Sequence, residues 1–159
     1  MEKLERQMDA LLRLCAAETE EERTALRREL RRILSGMDRE NNDPEKIIRQ
    51  ILLELGAPDH LVGHPYIIQA ILLVVEDGMY IHNITFGLYP QVAAKFDTTA
   101  ARVERAIRNL IEVTWTRGDW EVLRRYFGNT ISADKGKPTN GEFIARIANV
   151  VKAKIREAA

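Results

Sequence analysis

Apolar residues recur at helical spacing along most of the chain. Leu4, Met8, Leu11, Leu12 and Cys15 fall at i, i+4, i+7, i+8 and i+11, and Leu26, Leu30, Ile33, Leu34 and Met37 repeat that spacing twenty-two residues later. Each set makes one apolar stripe on a helix. Between them Thr19 and Glu22 have the spacing of a capping box, in which hydroxyl and carboxylate each satisfy a free backbone N–H. Gly36 is placed to stop the second helix. The pattern predicts an αα-hairpin over about residues 2–17 and 20–35, followed by a polar linker from Asp38 to Asp43. One hairpin has a single seam and cannot offset its own chain entropy, so it must dock on the rest of the protein, pair with another copy as a four-helix bundle, or bind a partner.

Asp43-Pro44-Glu45 then reads as a helix start: a capping aspartate, proline at the first helical position and an acid in the first turn. Ile47, Ile48, Ile51, Leu52 and Leu55 form the core face of this helix, and Gly56 ends it. His64-Pro65 opens a helix that is nearly all apolar from Tyr66 to Val75, which makes it the expected central core helix, ending at Gly78. His60 and His64 have the spacing of a metal pair, but Gly63 and Pro65 interrupt the helix and no third ligand is near, so His64 is expected as a cap or loop residue and no metal is expected.

The pattern changes character at Tyr89. A short helix carrying Val92, Ala93 and Phe96 leads into Asp97-Thr98-Thr99, and a second helix runs from about Thr99 to Thr116, ending at Gly118. Ala93 is small enough for a close helix crossing. Asp97, four residues on, tolerates the left-handed backbone that such a turn requires. Val103 stands where the second helix packs back on the first. This is the layout of a helix-turn-helix. At about 100° per residue, Val103, Ala106, Ile107, Leu110 and Thr114 share one face. Thr98, Ala101, Arg102, Arg105, Arg108, Asn109 and Glu112 share the opposite one, with Glu104 on the border. Arginine pairs bidentately with guanine O6 and N7, and glutamate accepts from cytosine N4, so this face has the composition of a helix that reads a major groove. After Gly118, Asp119-Trp120-Glu121 begins a short helix to Tyr126 with Trp120, Leu123 and Phe127 facing inward. Trp115 and Trp120 are expected as core braces. Lys135 and Lys137, in the loop from Gly128 to Pro138, either touch phosphates or belong to a solvated loop. Thr139 and Glu142 form a further capping box, opening a last helix to about Glu157 anchored by Phe143, Ile144, Ile147, Val151 and Ile155.

Composition adds limits. The 159 residues suit one domain with an appendage, and 45% apolar content is ordinary for a folded chain. The alternating β-branched runs of strands are missing, so the fold class is all-α: a helical bundle containing a helix-turn-helix, residues 43–159, preceded by the hairpin, residues 1–42. Net charge is zero, but residues 43–94 hold two Lys/Arg against six Asp/Glu, whereas residues 95–159 hold thirteen against eight. Positive charge is thus concentrated where the two-helix motif lies. One cysteine excludes an intrachain disulfide and a thiolate cluster, and fits a reducing cytosol. No apolar run approaches the ~18 residues of a membrane span, and the charged N-terminus lacks a signal-peptide pattern; a cytoplasmic location is expected. No nucleophile–base pair or glycine-rich phosphate loop is visible, so neither an enzyme nor a cofactor is expected.

The strings LYPQVAAKFDTTAARVERAIRNLIEVTWTRG, FGNTIS and KPTNGEFIA carry a resemblance over roughly residues 45–157. In these the chain is similar to the DNA-binding effector domain of the sporulation stage-zero A response regulators. The resemblance implies an all-helical domain of about six helices that binds double-stranded DNA at short TGTCGAA-like boxes, usually as tandem dimers. Carried over, Glu104 and Arg105 would read bases, and Arg102 and Arg108 would contact bases or phosphates. The last helix would contribute to dimer contacts. Two positions depart from the family pattern: Ala101 replaces a typical serine and Asn109 a typical histidine. Only Asn109 can still hydrogen-bond DNA, which implies altered affinity on a similar core box. Family members also carry a receiver domain with a phosphoacceptor aspartate. A forty-two-residue hairpin cannot be an α/β receiver, so no phosphorylation switch is expected here, and the hairpin is expected to supply homodimerisation or to bind another protein. The rival to a DNA-binding regulator is therefore an interaction protein that sequesters a partner or forms mixed dimers through residues 1–42.

Overall fold

The computed structural model describes residues 2–128 and 136–158, without the side chains of Lys3 and residues 37–41. Among these the secondary structure is helical throughout, in two compact units, 1–43 and 44–159. No described helix is long and apolar enough to cross a membrane.

The first unit is a hairpin of α1 (Glu2–Ala16) and α2 (Glu20–Asn41). The Thr19–Glu22 capping box forms in full: Glu22 N–H donates to Thr19 Oγ1 at 3.2 Å, and Thr19 N–H donates to Glu22 Oε2 at 3.3 Å. Two expectations fail here. Gly36 does not stop α2, which runs on to Asn41 and absorbs most of the expected linker. Its backbone does not take positive φ, and a glycine inside a helix costs only about 1 kcal/mol. The packing seam also differs. The buried residues of the unit are Ala10 and Ala17, with Leu14, Leu26, Leu30 and Ile33 half-buried, whereas Leu4, Met8, Leu11 and Leu12 are exposed. Small alanines let the two helices approach closely, and the larger stripe of α1 is left outside their seam. The expected place of Met37 in the α2 stripe lies outside the described side chains.

The second unit is built from α3 (Pro44–Leu55), α4 (Gly63–Glu76), α5 (Tyr89–Lys95), α6 (Ala100–Arg117), α7 (Trp120–Phe127) and α8 (Asn140–Glu157). α4 is the central element, packed against α3, α6 and α8, with Ile67, Ile68, Ala70, Ile71 and Val74 buried. Ile48, Ile51, Leu52 and Leu55 of α3, and Phe143, Ile144, Ile147, Ala148 and Val151 of α8, complete the core around it. Gly56 ends α3 at φ +76, with Ala57 N–H donating to the Leu52 carbonyl at 2.9 Å, a glycine stop that closes the last turn. α4 begins at Gly63, one residue before the expected start, so His64 is a buried residue of the first helical turn and not a cap or loop residue. Burial, helped by the charge of Arg49 and opposed by Asp59, holds its imidazole below the ordinary histidine pKa. α4 ends at Glu76, before Gly78. Residues 78–88, left without assigned structure by the pattern, form a 3₁₀ turn (Gly78–His82) and one π-type turn (Ile84–Leu88) that delivers the chain into α5.

α7 corrects another expectation. Leu123, Tyr126 and Phe127 face inward, but Trp120 is 63% exposed. Helical side chains lean toward the N-terminus, so a large first residue overhangs the helix start and not the core. Only Trp115 acts as a brace, edge-on to Phe127 at 5.2 Å, and Phe127 in turn stacks on Phe143 at 5.0 Å.

Two contacts make the fold testable. A Cβ at Gly63 would lie 2.2 Å from the Ala106 carbonyl oxygen, so α4 and α6 meet there with no room for a methyl group. Gly63→Ala should cost roughly 1–3 kcal/mol through forced displacement of α6, read as a lowered urea midpoint and Tm. The Tyr126 hydroxyl donates to Glu54 at 2.6 Å, and burial followed by that acceptor pushes the phenol up to about 12. The same bond holds Glu54 below its ordinary value. A raised folded pKa on an acid that must stay neutral gives stability that is whole below the unfolded value of 10.0 and is lost as pH climbs through about 12. Glu54 has the opposite sense, its contribution lost as pH falls through its depressed value. Tyr126→Phe should lower stability at neutral pH by about 1 kcal/mol and flatten the alkaline limb of a stability–pH curve.

Candidate nucleic-acid interface

The turn between α5 and α6 is fixed by local chemistry. Tyr89, Val92 and Ala93 are buried, which seats α5 on the core. Asp97 adopts φ +51, the only non-glycine positive φ among the described residues, as a helix-turn-helix turn requires. Thr98 N–H then donates to the Ala93 carbonyl at 3.0 Å, and Thr99 caps α6, its Oγ1 accepting from Arg102 N–H at 3.3 Å. Phe96 packs its ring on Tyr66 at 5.0 Å, tying the turn to α4.

α6 spans eighteen residues, about 27 Å at the helical rise. Val103, Ile107, Leu110 and Thr114 are buried as the spacing predicts, and Ile111 joins them. Thr114 satisfies its hydroxyl within the helix, on the Leu110 carbonyl at 2.7 Å. The opposite face holds Arg102, Arg105, Arg108, Asn109 and Glu112, all exposed, with Glu104 half-buried at the edge. Thr98 is half-buried in the turn. Lys135 lies outside the described residues. Lys137 is exposed and precedes α8.

Ion pairs divide these residues into two groups. Arg108 donates to the Glu104 carboxylate one turn earlier. Lys137 Nζ donates to Glu112 at 2.7 Å, which lowers the Glu112 pKa through that hydrogen bond and the lysine charge. Arg102, Arg105 and Asn109 make no ion pair or side-chain hydrogen bond among the described residues. Four cations and two carboxylates therefore share the surface, and two of the cations are already neutralised. The helix can offer Arg102 and Arg105 directly to an anion; Arg108 and Lys137 must first let go of a glutamate. Arginine forks held along one helix stripe suit phosphate oxygens and guanine edges.

Spacing did not reveal a third feature. Asn140, the first residue of α8, donates from Nδ2 to the Tyr89 hydroxyl at 3.0 Å and to the Glu104 backbone carbonyl at 3.1 Å. One amide thus ties α5, α6 and α8 together directly beneath the edge of the arginine face. Burial raises the Tyr89 pKa, and the hydrogen bond from Asn140 opposes that rise. The signal was present in KPTN, where Thr139 was legible as a cap and does accept from Glu142 N–H at 3.2 Å. Nothing in the pattern distinguished its neighbour. A cleft of about 620 Å³ opens beside this point, lined by Tyr89, Glu104, Arg108, Glu112, Lys137 and Asn140 among others. Among the described residues no three side chains come together as metal ligands.

Residues 48–151 match the family model described as "Sporulation initiation factor Spo0A C terminal". The match covers more than half of the chain and spans α4, α5, the turn, α6 and α7 together with about two thirds of α3 and of α8. It is a DNA-binding regulator domain of sporulation and not an enzyme family. The all-helical second unit, with a helix-turn-helix whose outer face carries arginine, is what such a domain requires, and the chain belongs to the family of the C-terminal domain of the sporulation initiation factor Spo0A.

Proposed function

We propose that this chain is a sequence-specific transcription regulator that lays α6 in the major groove of a TGTCGAA-like box. Arg105 and Glu104 read base edges, Arg102 contacts a base or phosphate, and Arg108 and Asn109 follow the adjoining strand. Thr98 reaches the backbone from the turn, and Lys135 and Lys137 do so from the segment before α8. The observation that carries the reading is the outward stripe of unpaired arginines, Arg102 and Arg105, on the helix that follows the Asp97 turn. An unpaired guanidinium loses only hydration on binding, whereas Arg108 and Lys137 exchange one anion for another. The reading includes no phosphorylation control: residues 2–41 form a helical hairpin and not an α/β receiver. A cytoplasmic location and action as a homodimer go with this role.

Fluorescence anisotropy with the unphosphorylated chain and a labelled duplex tests it. A TGTCGAA-type box should bind more tightly than a scrambled duplex, with affinity falling as salt rises because phosphates are neutralised. Arg105→Ala should weaken box binding by roughly 1–3 kcal/mol, tenfold or more, and erase most of the preference over scrambled DNA. Lys137→Ala should weaken both duplexes alike. Absence of binding at low salt, or an Arg105→Ala titration that overlays the wild type, refutes the reading. The second of these outcomes, together with activity that disappears when residues 1–42 are removed, would favour a protein acting through mixed dimers.

A further inference from the structure

Glu112 is an exposed acid on the arginine face of α6. It stands seven residues after Arg105, which at about 100° per residue returns it to the same stripe, about 10 Å further along the axis. A major groove is about 12 Å wide, so a helix that presents Arg105 to base edges carries Glu112 toward the phosphates of the bounding strand. An acid in that place opposes binding unless something holds it. Lys137 does so: its Nζ donates to Glu112 at 2.7 Å, across 25 residues of sequence, and joins the segment before α8 to α6. The two side chains stay 49% and 48% exposed, so the pair is open to a ligand. That hydrogen bond first, and the lysine charge next, hold Glu112 below the ordinary carboxylate range, with desolvation opposing and Arg108 adding a smaller pull. Glu112 is therefore charged at neutral pH. Arg108 is itself committed to Glu104, and the cleft beside α6 sets these two acids against two bases.

We propose that Glu112 is an electrostatic counterweight that limits sequence-independent retention on DNA: it holds Lys137, and so removes one cation from the charge the chain offers to phosphates. This role rests on α6 being the DNA-binding helix, and it gives Glu112 a part in that site without a base to read. Lysine is a compact point charge that suits phosphate and carries no base preference, so what Glu112 withholds is non-specific. Counterions make the effect measurable. A lysine that settles on a phosphate releases a condensed cation from DNA, and such release is what makes affinity fall with salt. Lys137, however, leaves an ionised Glu112 behind, and that carboxylate takes up a cation from solution. Release and uptake cancel, so Lys137 exchanges one anion for another and adds almost nothing to the salt slope. With the acid replaced by an amide the uptake disappears, and the release shows in full.

Anisotropy titrations over a series of salt concentrations, on box and scrambled duplexes, test the counterweight with the wild type, Glu112→Gln, Lys137→Ala and the double variant. Glu112 is exposed and glutamine has nearly its shape, so the far-UV helicity and urea midpoint of Glu112→Gln should hardly move. That variant should tighten both duplexes by the same factor, roughly two- to fivefold at low salt. Its log–log salt slope should steepen by about 0.9, the release of one phosphate's counterion. Lys137→Ala and the double variant should keep the wild-type slope, since neither has this lysine to bring to a phosphate. A Glu112→Gln slope equal to the wild type overturns the counterweight. So does weaker binding by that variant, which would mean that the acid orients Lys137. An equal steepening in the Lys137→Ala background overturns it as well, because the acid would then repel phosphate directly. Failure of the regulator reading looks different. A wild-type chain with no preference for the box refutes sequence reading, while the slopes on the scrambled duplex still decide the role of Glu112. A chain that binds neither duplex at low salt overturns both.

Discussion

The second unit depends on how closely α6 can approach the core. Its backbone at Ala106 lies against Gly63 so tightly that a single methyl group would overlap the carbonyl oxygen. That approach sinks one side of α6 into the core, where Val103, Ile107, Leu110 and Ile111 are almost fully covered, and so decides which side remains for a ligand. A helix sunk into the core along one side has no freedom to rotate: turning it to expose another residue would uncover a buried one. Asn140 works in the same sense from the other end, joining the Glu104 carbonyl to Tyr89 and to the start of α8. The arginine face is consequently held on rigid elements by contacts that do not themselves touch a ligand, the arrangement a site needs if its geometry is to survive thermal motion.

The face is also more guarded than its composition suggests. Counted as residues it is strongly basic; counted as available charge it is modest, since Glu104 and Glu112 each occupy a cation. Such pairs at an exposed surface are individually weak, worth on the order of 0–1 kcal/mol, so they do not lock the face. They do make it selective. A ligand that offers a hydrogen-bond donor to Glu104 and an acceptor to Arg108 at once can replace the pair without loss. One that offers only negative charge gains Arg108 and leaves a carboxylate beside phosphate. Discrimination is thus shared between attraction and the cost of an unsatisfied acid.

What the amino-acid order revealed follows from the range of the forces involved. Caps and turns are local, so Thr19 with Glu22, Thr139 and the left-handed Asp97 were all legible, as were the buried faces of α3, α6 and α8. Failures came where the answer depends on a distant neighbour. Periodicity finds apolar stripes but does not say which stripe meets which helix, so the Leu4–Cys15 set passed for the hairpin seam that the alanines in fact form. Gly36 and Trp120 were misread for an end effect: a helix continues through a glycine when nothing beyond stops it, and a first-turn side chain overhangs its helix. Residues 78–88 have no period of 2 or 3.6, being 3₁₀ and π turns, and were silent for that reason. Asn140 and the Glu112–Lys137 pair join residues 25 to 51 positions apart, beyond any spacing rule. The wheel grouped Arg102, Arg105, Arg108, Asn109 and Glu112 on one outer face, where they do lie exposed, but their pairing state was not in the wheel.

Asp97 has a consequence of its own. The turn asks for a left-handed backbone, which glycine supplies without charge and aspartate supplies with one. In the isolated chain its exposed carboxylate lies two residues ahead of the Thr99 cap, where the partial positive charge of the α6 start welcomes it. Beside a nucleic acid the same carboxylate faces a polyanion. The helix start itself is capped by Thr99, so the residue that solves the conformational problem of the turn also leaves an acid next to the arginine-bearing helix.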